Sequence, residues 1–179
     1  MNAGRNHSVI GRGLCLVIAC AALLCAIAAA FALTFPPLTG RVVDGAGIIQ
    51  PATRVTLEQK LADLEAKSGI QLVVATVKSL EGQEIEPYAN ELFRTWKLGQ
   101  KTKNNGVLLL IAPNERRVRI EVGYGLEATL TDALSKVIIV NAITPRFKAG
   151  DFSDGISRGV DDIITVQSIP LHARPEISC

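Results

Sequence analysis

The residues best suited to chemistry sit in one stretch, Arg119-Ile120-Glu121-Val122-Gly123-Tyr124-Gly125-Leu126-Glu127, followed closely by Leu130-Thr131-Asp132. An arginine and several carboxylates around paired glycines suit a divalent-cation or phosphate site. Hard cations such as Ca²⁺ and Mg²⁺ take oxygen ligands from carboxylates and carbonyls. Two glycines at a strand end let the backbone turn sharply and expose its amides. The same residues also fit a reading with no ligand. Asp132 then supports a helix cap beside Thr131, Glu127 is solvated, and the glycines only turn the chain, since acidic residues at helix amino termini are favoured by the dipole alone. Arg119 divides in the same way, between meeting an anionic group and pairing with Glu121.

What is missing narrows the chemistry further. The two histidines are His7 and His172, and residues 33–171 contain neither His nor Cys. That removes Ser-His-Asp and Cys-His catalysis, imidazole as a general base, and the usual zinc ligands. No G-x-x-x-x-G-K-[ST] loop is present, and Gly123-Tyr124-Gly125 continues into Leu126-Glu127 without the third glycine of a dinucleotide turn. No nucleotide, haem or zinc is therefore expected. Any catalysis falls to carboxylates, Arg or Lys, backbone amides and a hard cation. Of the 19 basic residues only Arg5 and Arg12 precede residue 33, which leaves 17 basic against 17 acidic groups in the remainder. A neutral domain with one Trp and two Tyr argues against nucleic acid and against a polybasic membrane-surface binder.

Residues 1–32 read as an address. Arg5 and Arg12 precede the run from Leu14 to Ala32, which holds no charged residue, and Ala30-Phe31-Ala32 resembles a cleavage site. The rival reading is an uncleaved anchor, because about 20 apolar residues span a bilayer as a helix. Either way the domain is expected outside the cytoplasm, periplasmic or otherwise extracytoplasmic, with membrane attachment only through residues 14–33. Cys15, Cys20 and Cys25 lie in this leader and Cys179 ends the chain, so the domain is expected to hold together by packing alone.

The elements that must position the candidate residues follow from periodicity. A linker over 33–40, stiffened by Pro36-Pro37, leads to Arg41-Val42-Val43-Asp44-Gly45-Ala46-Gly47, which reads as a turn or loop because of its Gly-x-Gly. Pro51 begins a helix to about Lys67 with a Leu57, Leu61, Leu64 stripe, stopped by Gly69. Ile70 to Val77 fits a strand. A second helix runs from near Pro87 to about Trp96, with Trp96 as core packing. The unbroken run Val107-Leu108-Leu109-Leu110-Ile111-Ala112 suggests a strand buried on both faces. After a hairpin connection, Arg117 to Val122 alternates, with Val118, Ile120 and Val122 inward and Arg117, Arg119 and Glu121 outward. Arg116-Arg117 reads as a solvated hairpin pair. Thr131 caps a helix from Asp132 to about Thr144, ended by Pro145. Phe152, Ile156, Val160, Ile163 and Ile164 stripe a last helix, with Asp151 and Asp154 at its start, and residues 167–179 read as an irregular tail. The order is α-β-α-β-β-α-α. A strand–helix–strand step crosses right-handed, so the first two strands are expected to be parallel in a mixed sheet with helices on its faces.

Five ordered motifs within residues 41–166 resemble the TPM domain: Arg41-Val42-Val43-Asp44-Gly45-Ala46-Gly47, Trp96-Lys97-Leu98-Gly99, Asn104-Asn105-Gly106 with the strand after it, Arg119 to Glu127, and Leu130-Thr131-Asp132-Ala133. This family groups a thylakoid lumen protein of photosystem II repair with exported bacterial proteins. The resemblance implies an α/β/α sandwich, three layers around a small mixed sheet, on the non-cytoplasmic side of a membrane. It also implies a shared acidic site of Asp44, Glu127 and Asp132 that takes Ca²⁺ or Mg²⁺, shaped by Gly123, Tyr124 and Gly125 with Arg119 beside it. Some members bind calcium, and plant members are weak acid phosphatases. Two functions follow from the resemblance. One is a cation- or phosphate-binding module serving membrane-protein complexes in assembly or repair. The other is a metal-assisted phosphatase in which Asp44 and Asp132 carry the chemistry through a cation that polarises phosphoryl oxygen.

Overall fold

The computed structural model describes residues 33–168, and the expected leader with its expected cleavage site, all four cysteines, both histidines and the tail from residue 169 lie outside them. The elements below belong to the unit that begins at Pro36. They run β1 (Val42–Asp44), α1 (Pro51–Ser68), β2 (Gln71–Thr76), α2 (Ile85–Thr95), β3 (Gly106–Ala112), β4 (Arg117–Val122), a 3₁₀ turn (Tyr124–Leu126), α3 (Asp132–Ile138), a π turn (Ile139–Ile143), α4 (Thr144–Lys148) and α5 (Phe152–Ser168). Among the described residues no helix is long and apolar enough to cross a membrane.

The sheet order is β1-β2-β3-β4, parallel for the first three strands and antiparallel between β3 and β4. Alternation divides the side chains between two faces. Val42, Leu72, Val74, Val107, Leu109, Ile111 and Ile120 share one core with Leu57, Leu61 and Leu64 of α1, Ile138, Ala142 and Ile143, and Ile156, Val160 and Ile163 of α5. The opposite face buries Val43, Val73, Leu108 and Leu110, and α2 covers it with Ile85, Tyr88, Ala89 and Leu92. The result is the mixed α/β fold that the sequence leads one to expect, with helices on both faces. All seven residues of β3 are buried, as its unbroken apolar run requires. Although α1 and α2 both step one strand in the same direction across the sheet, they lie on opposite faces. Their crossovers are therefore of opposite hand, and one departs from the right-handed rule.

Three local expectations need correction. Arg41 to Gly47 is not all loop, because Val42–Asp44 forms β1 on the edge of the sheet. This three-residue strand is completed by α1: Glu58 accepts from the Arg41 and Val42 amides at 3.3 and 3.0 Å, and Arg54 donates to the Val42 carbonyl at 3.3 Å. The outer edge of the sheet is thus occupied by side chains. Pro145 does not end the helix that Asp132 begins. The backbone widens into a π turn, in which the Thr144 amide donates to the Ile139 carbonyl, and Pro145 then falls in the first turn of α4, where a missing N–H costs nothing. Arg146 donates to the Ala142 carbonyl at 2.9 Å. Finally, α5 continues through Gln167 and Ser168, two residues into the stretch expected to be irregular.

Candidate functional site

Asp44, at the carboxyl end of β1, is the most heavily bonded of the candidate acids. Its Oδ1 accepts from the Gly47 and Ile48 amides at 3.0 and 3.1 Å and from the Thr76 hydroxyl at 2.5 Å. Its Oδ2 accepts from the Ile49 amide at 3.0 Å. Thr76 is fully buried, and its Oγ1 in turn accepts from the Ala46 amide at 3.0 Å. Both glycines of the Asp44-Gly45-Ala46-Gly47 turn have a reason to be there. A Cβ on Gly45 would lie 2.7 Å from the Thr76 carbonyl oxygen, and Gly47 has φ +69°. Asp44 folds the chain from β1 back toward α1, and both its oxygens are already occupied by that task.

The Gly123-Tyr124-Gly125 turn differs from a strand end with exposed amides. The Gly123 amide donates to the Gly106 carbonyl at 2.8 Å and the Gly125 amide to the Asn104 carbonyl at 3.1 Å. Neither glycine has positive φ. What they provide is close approach: a Cβ on Gly123 would meet the Asn104 carbonyl oxygen at 2.3 Å, and one on Gly125 would meet that of Lys103 at 1.9 Å. Asn105, buried, extends the same corner by donating to the Gly69 carbonyl at 2.7 Å and accepting from the Gln100 amide at 2.9 Å. The Gly99, Asn104-Asn105-Gly106 and Gly123 to Leu126 segments thus lock together at the amino end of β3. Tyr124 is 79% exposed above them.

Arg119 lies on the α2 face of β4. Its Nε sits 3.2 Å from Glu121 Oε2 and its Nη2 sits 3.7 Å from Asp132 Oδ1. Asn90 of α2 donates to Glu121 Oε1 at 3.0 Å. Arg119 is therefore the counter-ion of two carboxylates. Of these, Glu121 is largely covered, whereas the Asp132 side chain is 89% exposed. Thr131 caps α3 as expected, accepting from the Leu134 amide at 3.2 Å. Glu127 is exposed after the 3₁₀ turn.

The structure does not bring Asp44, Glu127 and Asp132 together. The register aligns Asp44 with Thr76, Ile111 and Val118 across the whole sheet, from one edge strand to the other. At roughly 4.8 Å per strand the edges are about 14 Å apart, and Gly123 lies a further five residues, roughly 16 Å, down β4. The turn that carries Glu127 is thus on the order of 20 Å from Asp44. Among the described residues no group of three His, Cys, Asp or Glu side chains could hold a metal ion. The physical reason is strand direction. Ligand crevices in open α/β sheets lie beyond the carboxyl ends of parallel strands. Because β4 is antiparallel, its end points to their amino ends.

At the carboxyl ends of the parallel strands there is a half-enclosed cleft of about 550 Å³. Val118, over the buried Ile111 and Ala112, lies at its base, with Arg116 and Arg117 of the hairpin on one side and Thr144, Phe147, Lys148 and Phe152 on the other. Sequence reading missed this site. The adjacent arginines were its one local signal, and Phe147 and Lys148 reach it only because the helix runs on through Pro145. Nearby, the Leu80 amide donates to Glu115 at 2.9 Å, and this bond holds the Glu115 carboxyl below the usual glutamate range. Burial, reinforced by the charges of Glu81 and Glu115, raises the Tyr88 phenol above its ordinary value.

The TPM-domain family model matches residues 42–166. Among solved structures, the N-terminal domain of a P. gingivalis protein is 31% identical, covers 78% of this chain and 89% of its own, and superposes with a TM-score of 0.69. The N-terminal domain of the cg2496 protein from Corynebacterium glutamicum is 18% identical over 83% of this chain and 92% of its own, with a TM-score of 0.57. The BA42 protein from Bizionia argentinensis is 20% identical over 72% and 90%, with a TM-score of 0.59. The last two likenesses speak for the fold alone. No curated protein sequence matches.

Proposed function

The chain belongs to the TPM-domain family, and from that premise we propose that it is a binding module acting outside the cytoplasm in the assembly or repair of membrane-protein complexes, not a phosphatase. The observation that carries this reading is the use made of Asp44. Three amides and a buried hydroxyl occupy its carboxylate, a sheet's width and length away from the turn that carries Glu127. Metal-assisted hydrolysis needs ligands that converge on one ion able to polarise a phosphoryl oxygen and activate water. These three acids cannot share such an ion. Of the other carboxylates of the motif, Glu121 and Asp132 face Arg119 and Glu127 is exposed, a surface arrangement suited to recognition. The extracytoplasmic placement rests on the basic-flanked, uncharged run in residues 14–32.

The test is a phosphomonoester assay of the full chain with Ca²⁺ or Mg²⁺ at millimolar concentration, run beside Asp132→Asn. A binding module gives no turnover above buffer in either protein. Cation-dependent hydrolysis that disappears in Asp132→Asn overturns the reading in favour of the enzyme. Fractionation of cells expressing the full chain tests the location, and recovery in the cytoplasmic fraction refutes it.

A further inference from the structure

We propose that the cleft between the β3–β4 hairpin and α4 binds an organic anion, an acidic head of phosphate or carboxylate carried on an apolar body. The inference rests on the binding-module reading and names its ligand class. Three cationic side chains, Arg116, Arg117 and Lys148, line the cleft, and none of its lining residues is acidic. Arg117 has a loose partner, Glu84, at 3.7 Å. Arg116 and Lys148 make no ion pair among the described residues. Two unpaired cations over a hydrophobic floor leave charge to be met, and the guanidinium offers the planar fork that carboxylate and phosphate accept.

The rest of the lining sets the body of the ligand. Val118, Phe147 and Phe152 supply apolar surface above the buried Ile111, with the two phenyl rings 4.9 Å apart and tilted by 51°. A cleft of about 550 Å³ takes a molecule of one or two rings, and that size is typical of small-molecule sites. Inorganic phosphate alone would leave most of it unfilled.

Two departures from regular backbone converge on this place, and they arise independently. Arg116 closes the hairpin with φ +55°, a conformation that glycine or asparagine adopts far more readily. The π turn at Ile139–Ile143 directly precedes Thr144, Phe147 and Lys148 and sets their phase around the helix. Such turns and strained residues gather at functional sites. Here each one delivers a cation to the same opening.

The test is calorimetric titration of the full chain with 2-naphthyl phosphate, 2-naphthoate, 2-naphthol and inorganic phosphate. One or both aryl anions should bind at least tenfold more tightly than naphthol and than inorganic phosphate, and the better of the two identifies the head group. Arg116→Gly and Lys148→Gln should each weaken that binding on the order of tenfold, the loss of one charge-assisted bond. Arg116→Gly also relieves the left-handed backbone, so its thermal midpoint should hold or rise, and lost binding cannot then be ascribed to unfolding. Lys103→Gln, at the opposite end of the sheet, should leave binding unchanged. Equal affinity in Arg116→Gly and wild type, or an equal loss in Lys103→Gln, overturns the proposal. The absence of aryl-anion binding overturns it as well, and leaves the binding-module reading standing. Release of 2-naphthol from a bound ester does the reverse: it supports the cleft and refutes the binding-module reading.

Discussion

Replacing Asp44 separates a structural acid from a functional one. Asp44→Ala leaves the Gly47, Ile48 and Ile49 amides and the Thr76 hydroxyl without their acceptor. The Gly47 amide is exposed and water replaces its partner at small cost, so it contributes little. The Ile48 and Ile49 amides are partly buried and Thr76 is fully so. At about 1–1.5 kcal/mol for each group left unmet, the loss is about 3–5 kcal/mol, a large part of the roughly 5–15 kcal/mol that holds a domain together. Asp44→Asn keeps Oδ1 and its bonds but turns an NH₂ toward the Ile49 amide, and should cost about 1–2 kcal/mol. Urea unfolding of the full chain reads both values. With m near 2 kcal/mol/M, Asp44→Ala lowers the midpoint by about 2 M. Asp132→Ala, at an exposed side chain with one long ion pair, should stay within about 0.5 kcal/mol of wild type. If Asp44→Ala costs less than about 1 kcal/mol at unchanged m, the carboxylate is not a fastener and its four bonds mislead.

Two further outcomes follow from the same geometry. Gly125→Ala places a methyl 1.9 Å from the Lys103 carbonyl oxygen, a backbone atom with little room to give way. Its urea midpoint should reflect a loss of about 3 kcal/mol, whereas Gly47→Ala, with open space but φ +69°, should lose only about 1 kcal/mol. Glu115 contributes to acid stability with a definite sign. Because the Leu80 amide lowers its folded pKa, its contribution is present above the unfolded value and is lost as pH falls through the folded one. Thermal midpoints of wild type and Glu115→Gln should therefore differ at neutral pH and converge in acid.

Where the fold was legible, it was because the cause was local. Leu57, Leu61 and Leu64 are buried at helical spacing, the run from Val107 to Ala112 is the covered strand it looks like, and the strict alternation of Arg117 to Val122 sorts side chains to two faces as period two demands. β1 was hidden because nothing in three residues distinguishes a strand from a loop. Its pairing comes from β2 on one side, and from Glu58 and Arg54, more than ten residues away, on the other. Pro145 misled for a related reason. A proline forbids an amide bond at its own position but not a helix that has widened just before it, and that widening belongs to the backbone around Ile139–Ile143.

The site was less legible than the fold because residue types carry no direction. A glycine pair after a strand looks the same whether the strand runs with its neighbours or against them, and here the antiparallel pairing of β4 sends Gly123 and the turn carrying Glu127 to the end of the sheet opposite Asp44. Motif residues at both ends are spent on fastening: Asp44 gathers the turn into α1, while Gly123 and Gly125 let two backbones touch. A short motif can be fully explained by such work and still be read as a ligand site. The cleft shows the converse. Arg116 and Lys148 stand 32 positions apart with no shared pattern, and only a hairpin end and a continued helix put their charges around one apolar opening. Fastening residues leave their polar atoms bonded to the chain, whereas residues held for a ligand leave theirs unbonded. Asp44 is of the first kind, and the cleft that Arg116 and Lys148 line, with no ion pair of their own among the described residues, is where binding should be sought.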